Sequence, residues 1–263
     1  MSPMKNIPMI PRQVAGFTLV EMAMVLMIIG LLLAGLIPTI SSQVEQQRTN
    51  ETRKTLEEIK DALLGFAVAN GRLPCPASSS NGEESFAAGE NASSGICSKF
   101  FNGFVPAVTL GISPVNDQGH VLDGWNNSIR YAVANDMVNG VANAFTKTDG
   151  MRIATMASIA NADLLYVCVS ATGITASDCG PALNKLTGTA PAIIYSTGKN
   201  GGYGGAGTDE RANPNSNSTN NDRVFVSHTP APSSATNGEF DDVVIWLSPN
   251  TLINRMVTAG KLP

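Results

Sequence analysis

Gly16-Phe17-Thr18-Leu19-Val20-Glu21 leads into an uncharged apolar run that lasts from Met22 to about Ile40, its greasy character interrupted only by Pro38 and Thr39. The run is about as long as a membrane-spanning helix requires. Glu21 is the sole ionised group at its mouth. A carboxylate at the centre of a bilayer is unfavourable by about 2.5–3.5 kcal/mol, and by less near an interface, so an acid in this place is expected to have a partner and a task. Lys5 and Arg12 are the charged side chains ahead of the run. By the positive-inside tendency they place the amino end in the cytoplasm and the bulk of the chain across the membrane.

A short basic leader ending in Gly16, then Phe17-Thr18-Leu19-Val20-Glu21 and an apolar helix, resembles the prepilin processing signal of type IV pilins and type II secretion pseudopilins. The match covers roughly residues 5–70. It implies that a membrane aspartic protease, the prepilin peptidase, cuts between Gly16 and Phe17 on the cytoplasmic side. It implies also that the same enzyme methylates the Phe17 amine, and that Glu21 neutralises the Phe17 amine of a neighbouring subunit during assembly. The implied partners are that peptidase, other pilin or pseudopilin subunits and an inner-membrane assembly platform. The implied location is the bacterial inner membrane, single-pass, with the C-terminal domain periplasmic, followed by a periplasmic or surface filament. A secretory signal is cut after its apolar run, next to small residues. A cut ahead of the run leaves it in the mature protein. The competing reading is a membrane-anchored periplasmic binding or enzymatic domain that keeps its leader.

Composition narrows the classes. Charged residues are 14% of the 263, against about 25% for average soluble domains. The net charge of −4 falls to −6 if Lys5 and Arg12 leave with the leader, which argues against a nucleic-acid partner. Four cysteines, Cys75, Cys97, Cys168 and Cys179, fit two disulfides in an exported domain. Three pairings exist; Cys75–Cys97 and Cys168–Cys179 are favoured because each closes a short loop. No Cys-x-x-Cys supports a zinc site.

The expected fold is α+β and pilin-like. A long N-terminal helix over 17–70, following the 1–16 leader, has a transmembrane half to about residue 40 and an amphipathic half. It packs on a small antiparallel β-sheet domain over 71–263. As one helix the 17–70 segment would be roughly 80 Å long at about 1.5 Å per residue. In its second half Leu56, Ile59, Leu63 and Phe66 recur at helical steps and should pack against the sheet, with Glu57, Glu58, Lys60 and Asp61 turned away. Pro38, with Gly30 and Gly35 nearby, is expected to kink or locally melt the helix. Gly71 and Pro74 stop it.

Five β-type runs follow: Ile129–Val133, Leu164–Val169, Ala192–Tyr195, Arg223–Val226 and Asp242–Leu247. The polar stretch from Gly198 to Asn221 reads as a long exposed loop. The chain ends in a short helix, with Ser248 as N-cap, Pro249 in the first position, an apolar face of Leu252, Ile253, Met256 and Val257, and Gly260 as terminator.

Two segments resemble the secretion branch of the family. Asp123-Gly124-Trp125-Asn126-Asn127-Ser128-Ile129-Arg130-Tyr131 is similar to the Asp-Pro-Trp-Gly-Asn-Pro-x-x-Tyr segment of major pseudopilins, departing from it at three positions that include Gly124 and Ser128, and Trp125 should be buried beside a turn. Asp241-Asp242, after a glycine-rich loop, resembles the acidic pair that holds calcium in those proteins. On that reading Asp241 and Asp242 supply two oxygens, and Asp209 or loop carbonyls supply others. The other reading is a solvated acidic turn.

No catalytic constellation stands out. Gly201-Gly202-Tyr203-Gly204-Gly205-Ala206-Gly207 lacks the Gly-Lys-Ser/Thr ending of a phosphate loop. His120 and His228 each stand alone in sequence, and no nucleophile elbow or zinc-protease motif occurs. The chain is therefore expected not to be an enzyme.

Overall fold

The computed structural model describes residues 16–201, 207–213 and 222–262, apart from the side chains of 33–41. One helix, α1, runs from Leu19 to Asn70. It passes through position 38 without a break, so the expected local melting at Pro38 is absent; the side chains there lie outside the described residues. Gly71, at φ +70°, ends the helix in the left-handed conformation that favours glycine. Among the described residues no helix is long and apolar enough to cross a membrane. The expected span of 17–40 runs over side chains outside that set.

The chain divides into two compact units, and the division falls inside α1, after Gln46. In the first unit every described side chain from 16 to 32 is exposed. In the second unit α1 joins the core. Leu56, Ile59 and Leu63 are fully buried, as are Thr52 and Ala67, and Phe66 is half-buried. Glu57, Glu58 and Asp61 are exposed. Each buried Leu or Ile contributes about 1.5–3 kcal/mol relative to exposure.

Two sheets make up the rest. The first is four-stranded and antiparallel, with β1 (Gly103–Phe104), β2 (Arg130–Val133), β5 (Ala192–Ser196) and β7 (Val243–Trp246) in the order β1-β2-β5-β7. All five residues of β5 are buried, as its unbroken Ala-Ile-Ile-Tyr run requires of a central strand. The second sheet has three strands, β3 (Leu165–Cys168), β4 (Lys185–Ala190) and β6 (Val224–Val226), in the order β4-β3-β6. Here β3 and β6 are parallel, which corrects the expectation of a purely antiparallel sheet. The chain leaves β3, forms β4 and β5, and returns beside β3 from the far side.

Short helices fill the gaps: α2 (Ala107–Leu110), α3 (Gly150–Ala154), α4 (Met156–Ala160) and the C-terminal α5 (Pro249–Thr258). Leu252 and Met256 of α5 enter the core and Ile253 packs against it; Val257 is exposed, contrary to expectation. Ser248 occupies the N-cap without a side-chain capping bond. The cysteines form two disulfides, Cys75–Cys97 and Cys168–Cys179, the pairing that closes the two short loops. By loop-closure entropy each stabilises by about 3 kcal/mol. Arg72, just after α1, makes a two-pronged ion pair with Glu84 at 2.7 Å on each arm, fastening the helix end to the first disulfide loop.

Candidate functional site

Strand register assembles the first candidate site. Ser196 at the end of β5 lies opposite Val243 at the start of β7, so the segments 197–200 and 241–242 emerge side by side. Arg130 at the start of β2 lies opposite Tyr195, which brings the turn before β2 to the same end. Into this corner the 3-10 turn Glu210–Ala212 places Glu210. One carboxylate oxygen from each of Glu210, Asp241 and Asp242 falls within 4.8 Å of the others.

The three acids are held differently. Glu210 accepts from the Asp241 amide at 2.9 Å, from the Gly207 amide at 3.2 Å and from the Asn200 side-chain amide at 3.1 and 3.0 Å. Asp242, nearly buried, accepts from Asn213 Nδ2 at 2.7 Å. Asp241 accepts from the Lys199 amide at 3.1 Å through Oδ2, while its Oδ1 is buried with no partner among the described residues, as is Asn200 Oδ1. Gly198, at φ +61°, lies against the cluster; a Cβ there would sit 1.9 Å from Asp241 Oδ1. Only glycine lets the backbone approach this closely.

Electrostatics mark the cluster as short of positive charge. Burial, then the Glu210 charge, pushes Asp241 up to about 7. Burial also drives Asp242 well above the usual carboxylate range, against the lowering effect of the Asn213 bond. Three converging carboxylates, one of them with a buried and unpartnered oxygen at Asp241 Oδ1, form a donor set of hard oxygens, and this fits a calcium ion. The set differs from the one expected. Asp209 is not in it: that carboxylate turns away to Ser170, the Ala171 amide, Asn237 and His228. Its neighbour Glu210 takes the place. Asp241 and Asp242 both precede β7, so strand alternation does not separate them. The expected exposed loop is partly buried, since Asp209, Glu210 and Asn213 are all under 5% exposed. Residues 202–206 and 214–221 of that stretch lie outside the described residues.

The turn before β2 braces this corner. Asp123 Oδ1 accepts from the amides of Trp125 and Asn127, each at 2.8 Å, and Oδ2 accepts from Ser196 Oγ at 2.5 Å. The Gly124 amide donates to Thr52 of α1 at 3.0 Å, and Asn127 Nδ2 donates to the Gly198 carbonyl at 2.6 Å. Asp123 is buried, as are Ile129 and Tyr131 further along the same segment. Trp125 is half-buried rather than buried.

The second candidate site is the start of α1. Thr18 caps the helix and Glu21 reaches back to it. The Thr18 amide and hydroxyl both donate to Glu21 Oε2 at 2.9 Å, and the Glu21 amide donates to Thr18 Oγ1 at 3.2 Å. This is a capping box. Gly16 and Phe17 precede the helix, in exposed chain without regular secondary structure.

Residues 11–37 match the model of the prokaryotic N-terminal methylation motif. No curated protein and no solved structure matches the chain. The methylation motif thus includes Gly16, Phe17 and Glu21 and ends well before the second compact unit begins. The reciprocal Thr18–Glu21 bonds within it were readable as Thr-x-x-Glu ahead of an apolar run. Glu210 had a weaker signal, an acidic pair closing the glycine-rich loop. The two histidines are structural: His120 stacks on Phe104 and meets the Ser78 carbonyl, and His228 stacks on Phe240 and meets Asp209.

Proposed function

We propose that this chain is a pilin-like structural subunit without enzymatic activity. Prepilin peptidase cuts it after Gly16 and methylates Phe17, and it then assembles with other pilin or pseudopilin subunits into a type II secretion pseudopilus or a type IV pilus. The methylation-motif match at residues 11–37 carries this reading. The apolar surface of 16–32, wholly exposed in the single chain, supports it: Phe17, Leu19, Met27 and Leu31 are each more than 60% exposed. So large an apolar surface requires a cover. The inner membrane supplies one before assembly, over the 17–40 segment, and copies of the same helix supply one afterwards.

In the bundle Glu21 would compensate the Phe17 amine of a neighbour. A slipped neighbour would leave a buried unpaired charge, so the pair also sets register. The C-terminal domain then lies in the periplasm. There a calcium ion held by Glu210, Asp241 and Asp242 ties the 198–213 segment to the start of β7. Mass spectrometry of the mature protein tests the proposal directly. A methylated Phe17 as first residue is expected; a retained leader in native material overturns it.

A further inference from the structure

We propose that the cleft between the Ala77–Ser79 segment and the β1–β2 pair binds a carboxylate-bearing ligand, with Arg130 as its principal contact and Lys99 as its second. The cleft has a volume of about 240 Å³ and is lined by Ser78, Ser79, Lys99, Asn102, Phe104 and Arg130.

Arg130 is built to receive an oxyanion. Phe104 and Arg130 are directly opposed across the β1–β2 pair and so share a face. The guanidinium lies over the Phe104 ring, 4.3 Å from its centroid, and donates to Asn102 Oδ1 at 3.0 Å. The ring and the amide fix the plane of the fork and leave most of its donors unspent. The other two arginines that are largely buried each hold a carboxylate: Arg72 has Glu84 and Arg223 has Asp136. Arg130 holds none among the described residues. A planar, pre-oriented and uncompensated guanidinium is the group best matched to the two oxygens of a carboxylate.

The walls of the cleft are fixed as well. Ala77 pairs with Phe104 of β1 through two backbone bonds, at 2.8 and 3.0 Å. Cys75, two residues before one wall, is joined by disulfide to Cys97, two residues before Lys99 on the other. Lys99 is exposed at the rim and adds a second positive charge. His120, beneath Phe104, adds none at neutral pH: burial chiefly, and the nearby Arg130 charge, hold it below its ordinary value. Two cations thus line the cleft and no acid does, on a chain whose net charge is −4.

The test uses the full mature chain in detergent micelles, at constant ionic strength and fixed free calcium. Thermal unfolding is followed against sodium propionate, and separately against a tripeptide with blocked termini and one central glutamate. A saturable rise in melting temperature with at least one probe is expected. The propionate arm reports a small-molecule carboxylate and the peptide arm a carboxylate on a protein partner. Arg130→Gln is expected to raise the half-saturating concentration roughly tenfold and Lys99→Gln by a smaller factor, as the loss of charge-assisted hydrogen bonds predicts. No saturable rise with either probe overturns the proposal, as does a rise reproduced by sodium chloride or one unchanged in Arg130→Gln. Should Arg130→Gln fail to fold, Lys99→Gln decides: being exposed, it leaves the fold intact, and an unaltered half-saturating concentration overturns the site.

Discussion

Glu21 and Thr18 hold each other across the first turn of α1, with both Thr18 donors converging on Glu21 Oε2 at 2.9 Å and Oε1 left without a partner among the described residues. The same acid can therefore cap its own helix and still offer an oxygen to an amine. The two roles separate by substitution, because glutamine also serves in a capping box. Glu21→Gln is expected to keep the helix start and cleavage after Gly16 but to lose incorporation into filaments. Glu21→Ala is expected to lose incorporation too and to weaken the helix start, because the reciprocal bonds to Thr18 go with it. Mass of the mature protein and co-purification with sibling subunits measure these outcomes. Glu21→Gln assembling as well as the wild type would reduce Glu21 to a helix cap.

The acid cluster predicts a pH dependence that calcium reverses. The folded-state pKa of Asp241 is raised from 3.8 to about 7. Between those values the folded state holds a proton that the unfolded state has lost. Without metal, Asp241 therefore makes the domain less stable as pH rises from about 4 to about 7. A bound cation favours the ionised carboxylates, so calcium should stabilise more at pH 8 than at pH 5. At a free concentration one hundred times its dissociation constant the gain is about 2.7 kcal/mol. Scanning calorimetry with calcium and with chelator, at both pH values, reads the effect. Glu210→Gln should abolish the calcium response; an identical melting temperature with and without calcium at pH 8 would remove the metal.

Much of this architecture was legible because its signals are local. Leu56, Ile59 and Leu63 announce a buried helix face by spacing alone, and Ala192-Ile193-Ile194-Tyr195 announces a central strand by its unbroken apolar run. Two other strands carry no such signal. Gly103–Phe104 is two residues long, and Lys185–Ala190 is an edge strand of Lys, Thr and Gly with only one large apolar side chain. The parallel pairing of β3 with β6 is a property of the tertiary path and leaves no mark in either strand. The acid cluster was half legible. Asp241 and Asp242 stood out beside a glycine-rich loop, but the choice of Glu210 over Asp209 depends on how a 3-10 turn rotates two adjacent side chains.

The Arg72–Glu84 pair should be among the costlier contacts to break. Both arms are 2.7 Å, the arginine side chain is 8% exposed, and its guanidinium also faces the rings of Phe66 and Phe86. Glu84→Ala strands that cation in the interior, which is expected to destabilise by about 3–5 kcal/mol. Replacing both residues together, as Arg72→Met with Glu84→Leu, should recover most of the loss, because the pair's own desolvation penalty disappears with it. Denaturant unfolding of the wild type and the two variants provides the comparison; equal losses in the single and double variants would show that packing, not charge, is at stake.

Asp123 links the turn before β2 to the acid cluster, and its substitution should be felt in both places. Its carboxylate takes two backbone amides and the Ser196 hydroxyl; Ser196 Oγ in turn accepts from the Gly198 amide at 3.1 Å, and Gly198 stands against Asp241. Asp123→Ala removes the acceptor of two half-buried amides and frees Ser196, which is expected to cost about 2 kcal/mol. The same change should weaken calcium binding, since the 197–200 segment loses the bond that holds it beside Asp241. Asp123→Asn keeps an oxygen for the two amides and a donor for Ser196 Oγ, so both effects should shrink. Denaturant unfolding measures the first effect and calcium-dependent melting the second. An Asp123→Ala protein that is destabilised yet binds calcium as tightly as the wild type would show that the brace holds the turn alone and leaves the acid cluster to position itself.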